Sequence, residues 1–424
     1  MKRYEEYKDT VIPWLNCIPA HWGEMRAKYL FYKENRLPLE SDEVITCFRD
    51  GVVTLRKNRR TTGYTESLKE IGYQGIKKGD LVIHQMDAFA GAVGVSDSDG
   101  KGTPVYSVCT PKDGAILTKY YAKVIRHMGL NGFIQSLYRG IRERSSDFRF
   151  ETFAKQILPV PPLAEQEKIV SFLESKTLSI DTYVAERERE LQLLNELKES
   201  EIANVITRGL NPDVKMKDSG IPWIGMVPEH WDVRRLSQVA YEHFISNKNI
   251  HHQNLLSLSY GRIIRKDINT TEGLLPASFD TYQVVERGNI VLRLTDLQND
   301  QKSLRVGLVR EEGIVTSAYV CLGISNNSIA PEYLYNTLHS YDIKKLFYSM
   351  GGGLRQNLNW QGLKKIDIPL PPPEEQEAIV AYIEDKCNKI TSLISELEAE
   401  IEYLKEYKQK LIADCVTGQI KVTE

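Results

Sequence analysis

Several clusters of residues in this sequence carry side chains suited to contacting nucleic acid. Arginine, asparagine and glutamine can form paired hydrogen bonds with guanine or adenine edges, whereas lysine on a phosphate only positions a protein. Such clusters occur in both halves of the chain, with Tyr64, Tyr138 and Tyr260 nearby. A single cluster is equally typical of a solvated basic loop, but their placement in both halves favours DNA binding. The candidate DNA-binding residues are Arg56, Lys57, Arg59, Arg60, Arg139, Arg142, Arg144, Arg262, Arg265, Lys266, Arg293, Arg355, Gln356 and Asn357.

The motifs that resemble catalytic or cofactor-binding sites lack residues that such sites require. The segment Gly94–Thr103 resembles a phosphate-binding loop, but five residues separate its glycines where four are needed, and Gly102 follows Lys101 where serine or threonine should stand. His251 and His252 lack further ligands at metal spacing and indicate a surface pair. No glycine-rich S-adenosylmethionine loop occurs. We therefore expect a non-catalytic chain with no catalytic residue, metal or cofactor of its own.

The clusters lie within a chain that repeats itself. Residues 157–170 and 367–380 share a proline-rich box followed by Glu-Gln-Glu, at an offset of 210. An Ile-Pro-Trp box at 12–22 returns at 221–231, at an offset of 209. Two separate segments that agree to one residue predict a tandem duplication, and copies of this length indicate two domains rather than a solenoid.

A long helix is predicted after each proline box. In the second copy, apolar residues recur at sevens from Ile383 to Leu411; the first copy has a weaker seam that Arg187, Lys198 and Glu201 interrupt. Each helix would run about 44 residues, or roughly 65 Å. We expect the two to pack as an antiparallel coiled coil about a pseudo-two-fold axis; the alternative is that each folds back on its own variable block. The predicted packing residues are Leu173, Ile180, Val184, Leu191, Leu194, Ile383, Ile390, Ile394, Leu397, Ile401, Leu404 and Leu411.

The blocks between the boxes alternate short β-like runs with glycine turns and short helices, which predicts compact mixed α/β domains. Charge divides between these blocks and the helices. The 424 residues carry a formal charge of −2, which alone argues against a nucleic-acid binder. However, residues 163–208 and 374–416 together carry −10, so the rest carries +8. Both variable blocks are basic and could bind phosphate by counterion release.

Composition also bears on the compartment. No apolar run reaches eighteen residues, the amino terminus lacks a signal-peptide stretch, and the six cysteines show neither zinc spacing nor disulfide density. We expect a cytoplasmic protein with reduced thiols and no membrane contact.

The connector between the copies carries a family resemblance. The run Val205-Ile206-Thr207-Arg208-Gly209-Leu210-Asn211-Pro212, continuing through Ser219-Gly220-Ile221-Pro222-Trp223 to Val227-Pro228-Glu229-His230-Trp231, resembles the central connector of specificity subunits of type I restriction-modification systems. Both proline boxes with Glu-Gln-Glu resemble that family's lead into each spacer helix, and the ending Val416-Thr417-Gly418-Gln419-Ile420 is similar too. The resemblance covers both halves and is weakest inside the variable blocks.

The resemblance implies an α+β architecture of two target-recognition domains, each reading one half of a bipartite, asymmetric DNA site. Paired helices would hold the half-sites on the order of one DNA turn apart, roughly 34 Å. The implied partners are double-stranded DNA, two methylation subunits and restriction subunits, which would bring S-adenosylmethionine, ATP and Mg²⁺. We also expect the acidic outer faces of the helices to dock these subunits. The predicted segments are recognition domain 1 (1–156), proline box and spacer helix 1 (157–210), connector and recognition domain 2 (211–366), and proline box, spacer helix 2 and tail (367–424).

Two other classes of function stay open. A coiled-coil assembly scaffold would bind only proteins, and its DNA affinity would be absent or insensitive to salt, unlike that of a phosphate-binding reader. A self-sufficient methyltransferase would bind S-adenosylmethionine as the isolated chain.

Overall fold

A computed structural model describes residues 2–59, 71–137, 147–249, 252–268, 278–300, 304–350 and 357–422. The chain divides into two compact units: the first comprises Met1–Arg187 with Ala399–Glu424, and the second comprises Glu188–Glu398. Each unit therefore contains one variable block and segments of both long helices. The four segment boundaries predicted from the sequence stay predictions.

The first unit builds its variable block from short strands and helices. The strands are β1 (Tyr7–Asp9), β2 (Cys17–Pro19), β3 (Gly23–Arg26), β4 (Phe31–Lys33), β5 (Ile45–Cys47), β6 (Val53–Leu55), β7 (Gln74–Ile76), β8 (Leu81–His84), β9 (Val93–Val95), β10 (Gly100–Gly102), β11 (Tyr106–Pro111) and β12 (Ile157–Val160). The helices are α1 (Ala27–Leu30), α2 (Thr118–Leu130), α3 (Phe133–Ser136) and α4 (Phe150–Phe153).

An antiparallel sheet with the order β4-β11-β8-β9 forms the centre of this block. Strand β8 lies between β11 and β9, and its residues Leu81, Val82 and Ile83 are fully buried because both faces of the sheet are covered. Leu81 and Ile83 pack with residues of α2, and Val82 packs on the other face with Ile45. Helix α2 covers the sheet with one face, on which Val124 and Met128 are also fully buried. An apolar strand flanked on both edges and an amphipathic helix on its face give the block its own core.

The proline box places the first long helix on this core. Strand β12 pairs with β3, with Leu158 opposite Met25. Pro161 and Pro162 end the strand because proline has no N–H to donate to a neighbouring strand. Helix α5 (Leu163–Arg208) then begins and continues for 46 residues.

The second unit repeats this plan. Its strands are β13 (Met216–Asp218), β14 (Met226–Pro228), β15 (Asp232–Arg235), β16 (Ala240–Glu242), β17 (Ile245–Ser246), β18 (Leu256–Ser259), β19 (Arg262–Arg265), β20 (Gln283–Val285), β21 (Ile290–Leu292), β22 (Val306–Leu308), β23 (Gly313–Val315), β24 (Val320–Ile324) and β25 (Asp367–Leu370). Its helices are α6 (Leu236–Val239), α7 (Pro331–Ile343), α8 (Leu346–Met350), α9 (Trp360–Leu363) and α10 (Pro373–Val416). The central sheet has the order β16-β24-β21-β22, and the pairing of β15 with β25 leads into α10.

Both long helices are followed by a glycine in the left-handed conformation. Gly209 has φ 73° and Gly418 has φ 74°, a region in which a side chain is strained. In the second unit, a Cβ added at Gly209 would lie 3.1 Å from the Trp231 ring. In the first unit, a Cβ at Gly418 would lie 2.5 Å from Pro19 Cδ. Both helix ends therefore need glycine for conformation and for space.

Within each unit, the two long helices run antiparallel. In the first unit, Asp181 and Tyr183 of α5 bind Lys408 and Glu400 of α10. In the second unit, Lys198 and Glu201 of α5 bind Thr391 and Tyr382 of α10. The partner's number falls as the α5 number rises in both, which confirms the predicted antiparallel pairing. The helices also bury residues against the variable blocks, as Leu173 does in the first unit and Ile383 in the second.

The predicted packing residues of the two long helices differ in burial, and their role in pairing the helices stays a prediction. Six of the predicted packing residues are buried, namely Leu173, Val184, Ile383, Ile390, Ile401 and Leu411. The other six are half-buried, namely Ile180, Leu191, Leu194, Ile394, Leu397 and Leu404. Polar side chains share these faces, and Lys198 and Lys408 among them bind the neighbouring helix.

Candidate nucleic-acid interface

The first basic cluster lies on a single 3₁₀ turn, Arg56–Asn58, directly after strand β6. Lys57 Nζ lies 2.7 Å from Glu43 Oε1, and Arg59 lies 2.6 Å from Asp50 and packs over the Phe48 ring. All of these charged side chains are exposed, so their ion pairs are weak and a phosphate can compete for the cations. Arg60, Arg139, Arg142 and Arg144 lie outside the described residues.

The second cluster lies on the hairpin of β18 and β19. The Nε and Nη2 groups of Arg265 both donate to the Glu311 carboxylate, and these hydrogen bonds lower the pKa of Glu311. Lys266 follows Arg265 at the end of β19 and is exposed, and its main-chain N–H donates to the carbonyl of Leu255 at 2.8 Å. Tyr260 at the tip is 78% exposed and has φ 46°. Arg355 and Gln356 lie outside the described residues.

Two described candidates of this unit lie apart from that hairpin. Arg293 follows β21 and lies 3.8 Å from Asp300, and Asn357 Oδ1 accepts the main-chain N–H of Asp296 at 2.8 Å. Arg262 begins β19 and lines the cleft beside helix α7. The described candidates are thus distributed over several surfaces of the second block.

That cleft has a volume of about 720 Å³ and lies between the β18–β19 hairpin, helix α7 and the long helices of the second unit. It contains His339, whose Nδ1 is buried without a hydrogen-bond partner among the described residues. Burial lowers the pKa of His339 to about 4, and the charge of Lys198 contributes. In the first unit, Arg126 occupies the equivalent position and donates to the carbonyls of Arg49 and Gly91. This position therefore holds a neutral-leaning histidine in the second unit and a hydrogen-bonded arginine in the first.

A carboxylate joins each Ile-Pro-Trp box to the following long helix. Glu165 accepts hydrogen bonds from Trp22 Nε1 and the Tyr4 hydroxyl, both at 2.9 Å, and lies 2.5 Å from His21 Nε2. The second unit repeats the arrangement between Glu375, Trp231 and His230 at 2.9 and 2.6 Å. The sequence carried a signal for this role that was missed, because the histidine, tryptophan and glutamate recur in both copies at matching offsets.

A fully buried glutamine ties each variable block to its helix. Gln166 accepts the Leu117 N–H at 2.9 Å and donates to the carbonyls of Ala115 and Pro161. Gln376 makes the same three bonds with Ala330, Ser328 and Pro371. These glutamines are 0% and 1% exposed, so their amides satisfy main-chain groups that burial would otherwise leave unpaired. The Glu-Gln-Glu motif is thus a scaffold element.

Comparison with known proteins fits this paired construction. Residues 228–403 match the family model of the type I restriction modification DNA specificity domain. The chain is 23% identical over 419 residues to the putative type I restriction enzyme MjaX specificity subunit of Methanocaldococcus jannaschii, which covers 90% of this chain and 93% of that one. It is 25% identical over 281 residues to the MjaVIII specificity subunit of the same organism, which spans 62% of each chain. It is 23% identical over 412 residues to the EcoBI specificity subunit of Escherichia coli, with 88% and 81% covered.

Solved structures share the fold. A chain from a study of assembly and conformational transition of the type I R-M system superposes with a TM-score of 0.68 at 15% identity, covering 95% of this chain and 99% of that one. The HsdS subunit of Thermoanaerobacter tengcongensis gives a TM-score of 0.56 at 15% identity, with 97% and 100% covered. The chain thus resembles the specificity subunits of type I restriction-modification systems over most of its length.

Three further findings concern metal ligands, cysteines and membrane spans. Among the described residues, no group of three or more histidine, cysteine, aspartate or glutamate side chains could hold a metal ion. The six cysteines are free thiols, and burial raises the pKa of the Cys47 thiol to about 12. Within the described part of the chain, no helix is both long and apolar enough to cross a membrane.

Proposed function

We propose that this chain is the DNA-recognition subunit of a type I restriction-modification complex and reads a bipartite, asymmetric target with one recognition domain per half-site. The observation that carries the proposal is the paired construction of the two units. Both retain the scaffold bonds of Trp22 with Glu165 and of Trp231 with Glu375. Their variable blocks differ in surface chemistry, although their central four-stranded sheets share one topology. Two recognition domains that share a scaffold but differ in surface chemistry are suited to a DNA target whose two halves differ in sequence.

Charge supports the division of labour. Both variable blocks have more basic than acidic residues, whereas the long helices together carry −10. Basic domains gain affinity for DNA by counterion release, and the acidic helix faces suit docking of protein partners. We propose that two methylation subunits and the restriction subunits dock there, in the cytoplasm, and supply the chemistry with S-adenosylmethionine, ATP and Mg²⁺.

DNA binding by the purified chain with its methylation subunits tests this function. Mapping of modified adenines in cells that express the complex should reveal one bipartite motif with a fixed gap. Affinity for that motif should fall steeply as salt rises, because cations on phosphates release counterions. DNA affinity that is absent or independent of salt would favour the assembly scaffold instead.

A calorimetric titration of the isolated chain with S-adenosylmethionine tests the non-catalytic role. We expect no heat of binding, because the cofactor site belongs to the methylation subunits. Binding by the isolated chain would favour a self-sufficient methyltransferase.

A further inference from the structure

The two recognition domains differ in length at one connection of their central sheets. Strand β8 pairs with β9 so that Leu81 faces Val95, and β21 pairs with β22 so that Ile290 faces Leu308. The register is the same, yet β9 begins ten residues after Ile83 and β22 begins fourteen residues after Leu292. The second domain therefore carries four more residues in this connection without any shift of its strands.

The same main-chain bond supports this connection in both domains. The N–H of Phe148 donates to the carbonyl of Gln85 at 3.0 Å, and the N–H of Leu358 donates to the carbonyl of Leu294 at 2.9 Å. Phe148 and Leu358 are buried, at 0% and 7% exposure, so each anchors its segment. The residues that flank these anchors are exposed and differ between the domains. They are Asp147 and Arg149 in the first domain and Asn357 and Asn359 in the second.

A buried arginine fixes the longer connection in the second domain. Arg305 is fully buried, and its guanidinium donates to the carbonyls of Arg293 and Thr295 at 3.1 and 2.9 Å and also to those of Asp296 and Asp300. Its Nε donates to the Tyr348 hydroxyl at 3.0 Å. Because four main-chain carbonyls and the Tyr348 hydroxyl accept its N–H groups, the Arg305 guanidinium holds the backbone in place and has no donor left for a ligand. The backbone that carries the Thr295 side chain is thereby preorganised.

The connection forms one wall of a cleft of about 420 Å³ on the second domain. Thr295 and Asn357 line it together with Phe244, Ser317 and Tyr319, and Glu242 and His243 lie at the same cleft. Among the described residues, those that line this cleft include no lysine or arginine. Amide, hydroxyl and aromatic groups beside a carboxylate suit contact with the edges and faces of bases more than contact with phosphates, which a carboxylate repels.

The orientation of one amide in this cleft is fixed. The Oδ1 atom of Asn357 accepts the main-chain N–H of Asp296 at 2.8 Å, and Asp296 itself has φ 56°. Because Oδ1 is held by this bond, Nδ2 is the atom of the amide that can serve as a donor. A donor amide beside the Thr295 hydroxyl suits acceptor atoms in the major groove, such as guanine O6 and N7 or thymine O4.

We infer that Thr295 and Asn357 determine which base the second recognition domain accepts, and that Met86 and Asp147 do so at the equivalent positions of the first. This inference rests on the proposed function. In the first domain, Met86 is 48% exposed and offers apolar contact. Asp147 offers a carboxylate acceptor: Arg149 Nε binds its Oδ1 at 2.7 Å in an exposed ion pair, which leaves Oδ2 for a base. A carboxylate can accept a hydrogen bond from the amino group of cytosine or adenine, whereas the Nδ2 donor of an asparagine cannot. The two domains thus present opposite hydrogen-bonding character at one shared position.

The decisive variant is Asn357→Asp in the complete complex with methylation subunits. Aspartate keeps an oxygen for the Asp296 N–H but replaces the Nδ2 donor with an acceptor. Thr295→Val removes the hydroxyl at similar volume, and Asp147→Asn makes the reverse exchange in the first domain. Asn326→Asp is the matched control, because it makes the same change on an exposed residue of the second domain that does not line the cleft.

The readout is the sequence motif around modified adenines, together with thermal unfolding of each complex. Asn357→Asp and Thr295→Val should each shift the base preference at one position of one half-site by at least about fivefold, equivalent to about 1 kcal/mol. Asp147→Asn should shift a position in the other half-site only, and Asn326→Asp should leave the motif unchanged.

Three results would overturn the inference. They are an unchanged motif in both second-domain variants, a change in both half-sites, and a loss of binding that is equal for all sequences at unchanged thermal unfolding. A parent complex that modifies no specific sequence would instead contradict the proposed function, so the two failures are distinguishable.

Discussion

The indole N–H of Trp22 donates to a carboxylate oxygen of Glu165 at 2.9 Å and thereby joins the amino-terminal box to the first turn of helix α5. The same carboxylate binds His21 and Tyr4. Burial opposes ionisation of Glu165, but the hydrogen bonds from Trp22, His21 and Tyr4 outweigh it, so the pKa of Glu165 is lowered. The ionised carboxylate is therefore part of the folded scaffold.

We expect Glu165→Gln to lower the free energy of unfolding by about 1–2 kcal/mol at neutral pH, because it weakens three bonds to a charged group. A lowered pKa stabilises the fold fully above the ordinary glutamate value of 4.5, and this gain is lost as pH falls through the folded-state value. Urea unfolding of parent and variant across a pH series measures the difference, which should shrink in acid. A difference of constant size at every pH would show that the charge is unimportant.

Replacement of Gly418 tests the end of helix α10. Gly418 and Gly132 both have positive φ, 74° and 84°, so alanine at either costs about 1–2 kcal/mol of conformational energy. A Cβ at Gly418 would also meet Pro19, whereas one at Gly132 meets nothing within 4 Å. Gly418→Ala should therefore lower the free energy of unfolding by at least twice the loss caused by Gly132→Ala. Equal losses in chemical unfolding would contradict the packing argument.

The two units pair equivalent lysines differently. Lys408 binds the carboxylate of Asp181 at 2.6 Å, whereas Lys198 binds the hydroxyl of Thr391 at 3.0 Å. We expect Asp181→Thr to destabilise the helix pair and Thr391→Asp to stabilise it, each by about 0.5–1 kcal/mol at low salt. Both changes should shrink as salt rises, because these sites are partly exposed. Thermal unfolding at two salt concentrations measures both stability changes. A stabilising Asp181→Thr or a destabilising Thr391→Asp would contradict the prediction.

Asp342 gives the second unit a pH dependence. Burial raises its pKa to about 6 from 3.8, with the charge of Asp300 adding to the effect and the Arg305 N–H opposing it. The folded state therefore holds a proton that the unfolded state releases, so the free energy of unfolding falls as pH rises between these values. In Asp342→Asn, the decrease of the free energy of unfolding over this pH range should be smaller by up to about 3 kcal/mol. The exposed Asp280→Asn is the control, and an unchanged pH slope in Asp342→Asn would contradict the assignment.

The long helices make a prediction about gap length. Insertion of seven residues into both α5 and α10, in register, preserves the heptad contact face and lengthens each helix by about 10 Å. We expect the recognised gap to change while both half-site sequences stay the same. Mapping of modified adenines measures this, and altered half-site bases would contradict a spacer role.

The sequence predicted the features that repetition and periodicity encode. The duplication, the two long helices and their antiparallel pairing follow from matching offsets and heptad spacing, and the structure confirms them. The role of Gln166 escaped because its bonds go to main-chain groups of a loop 49 and 51 residues away, which no local pattern reveals.

The candidate DNA contacts were harder to predict for a related reason. Composition identified the basic residues, yet it did not reveal that Lys57, Arg59 and Arg265 bind carboxylates of their own domain. Thr295 was missed because a lone threonine has no signature; its position matters only because Arg305 holds its carbonyl.

The bonds of Gln166 and Gln376 bear on how such a protein acquires new targets. Each glutamine binds a variable block through main-chain N–H and carbonyl groups, which every amino acid except proline supplies alike. A gene exchange that replaces one block therefore inherits the attachment to its helix unchanged. Half of the recognised sequence would then be rewritten in one genetic step, while the other half and both long helices stay as they were.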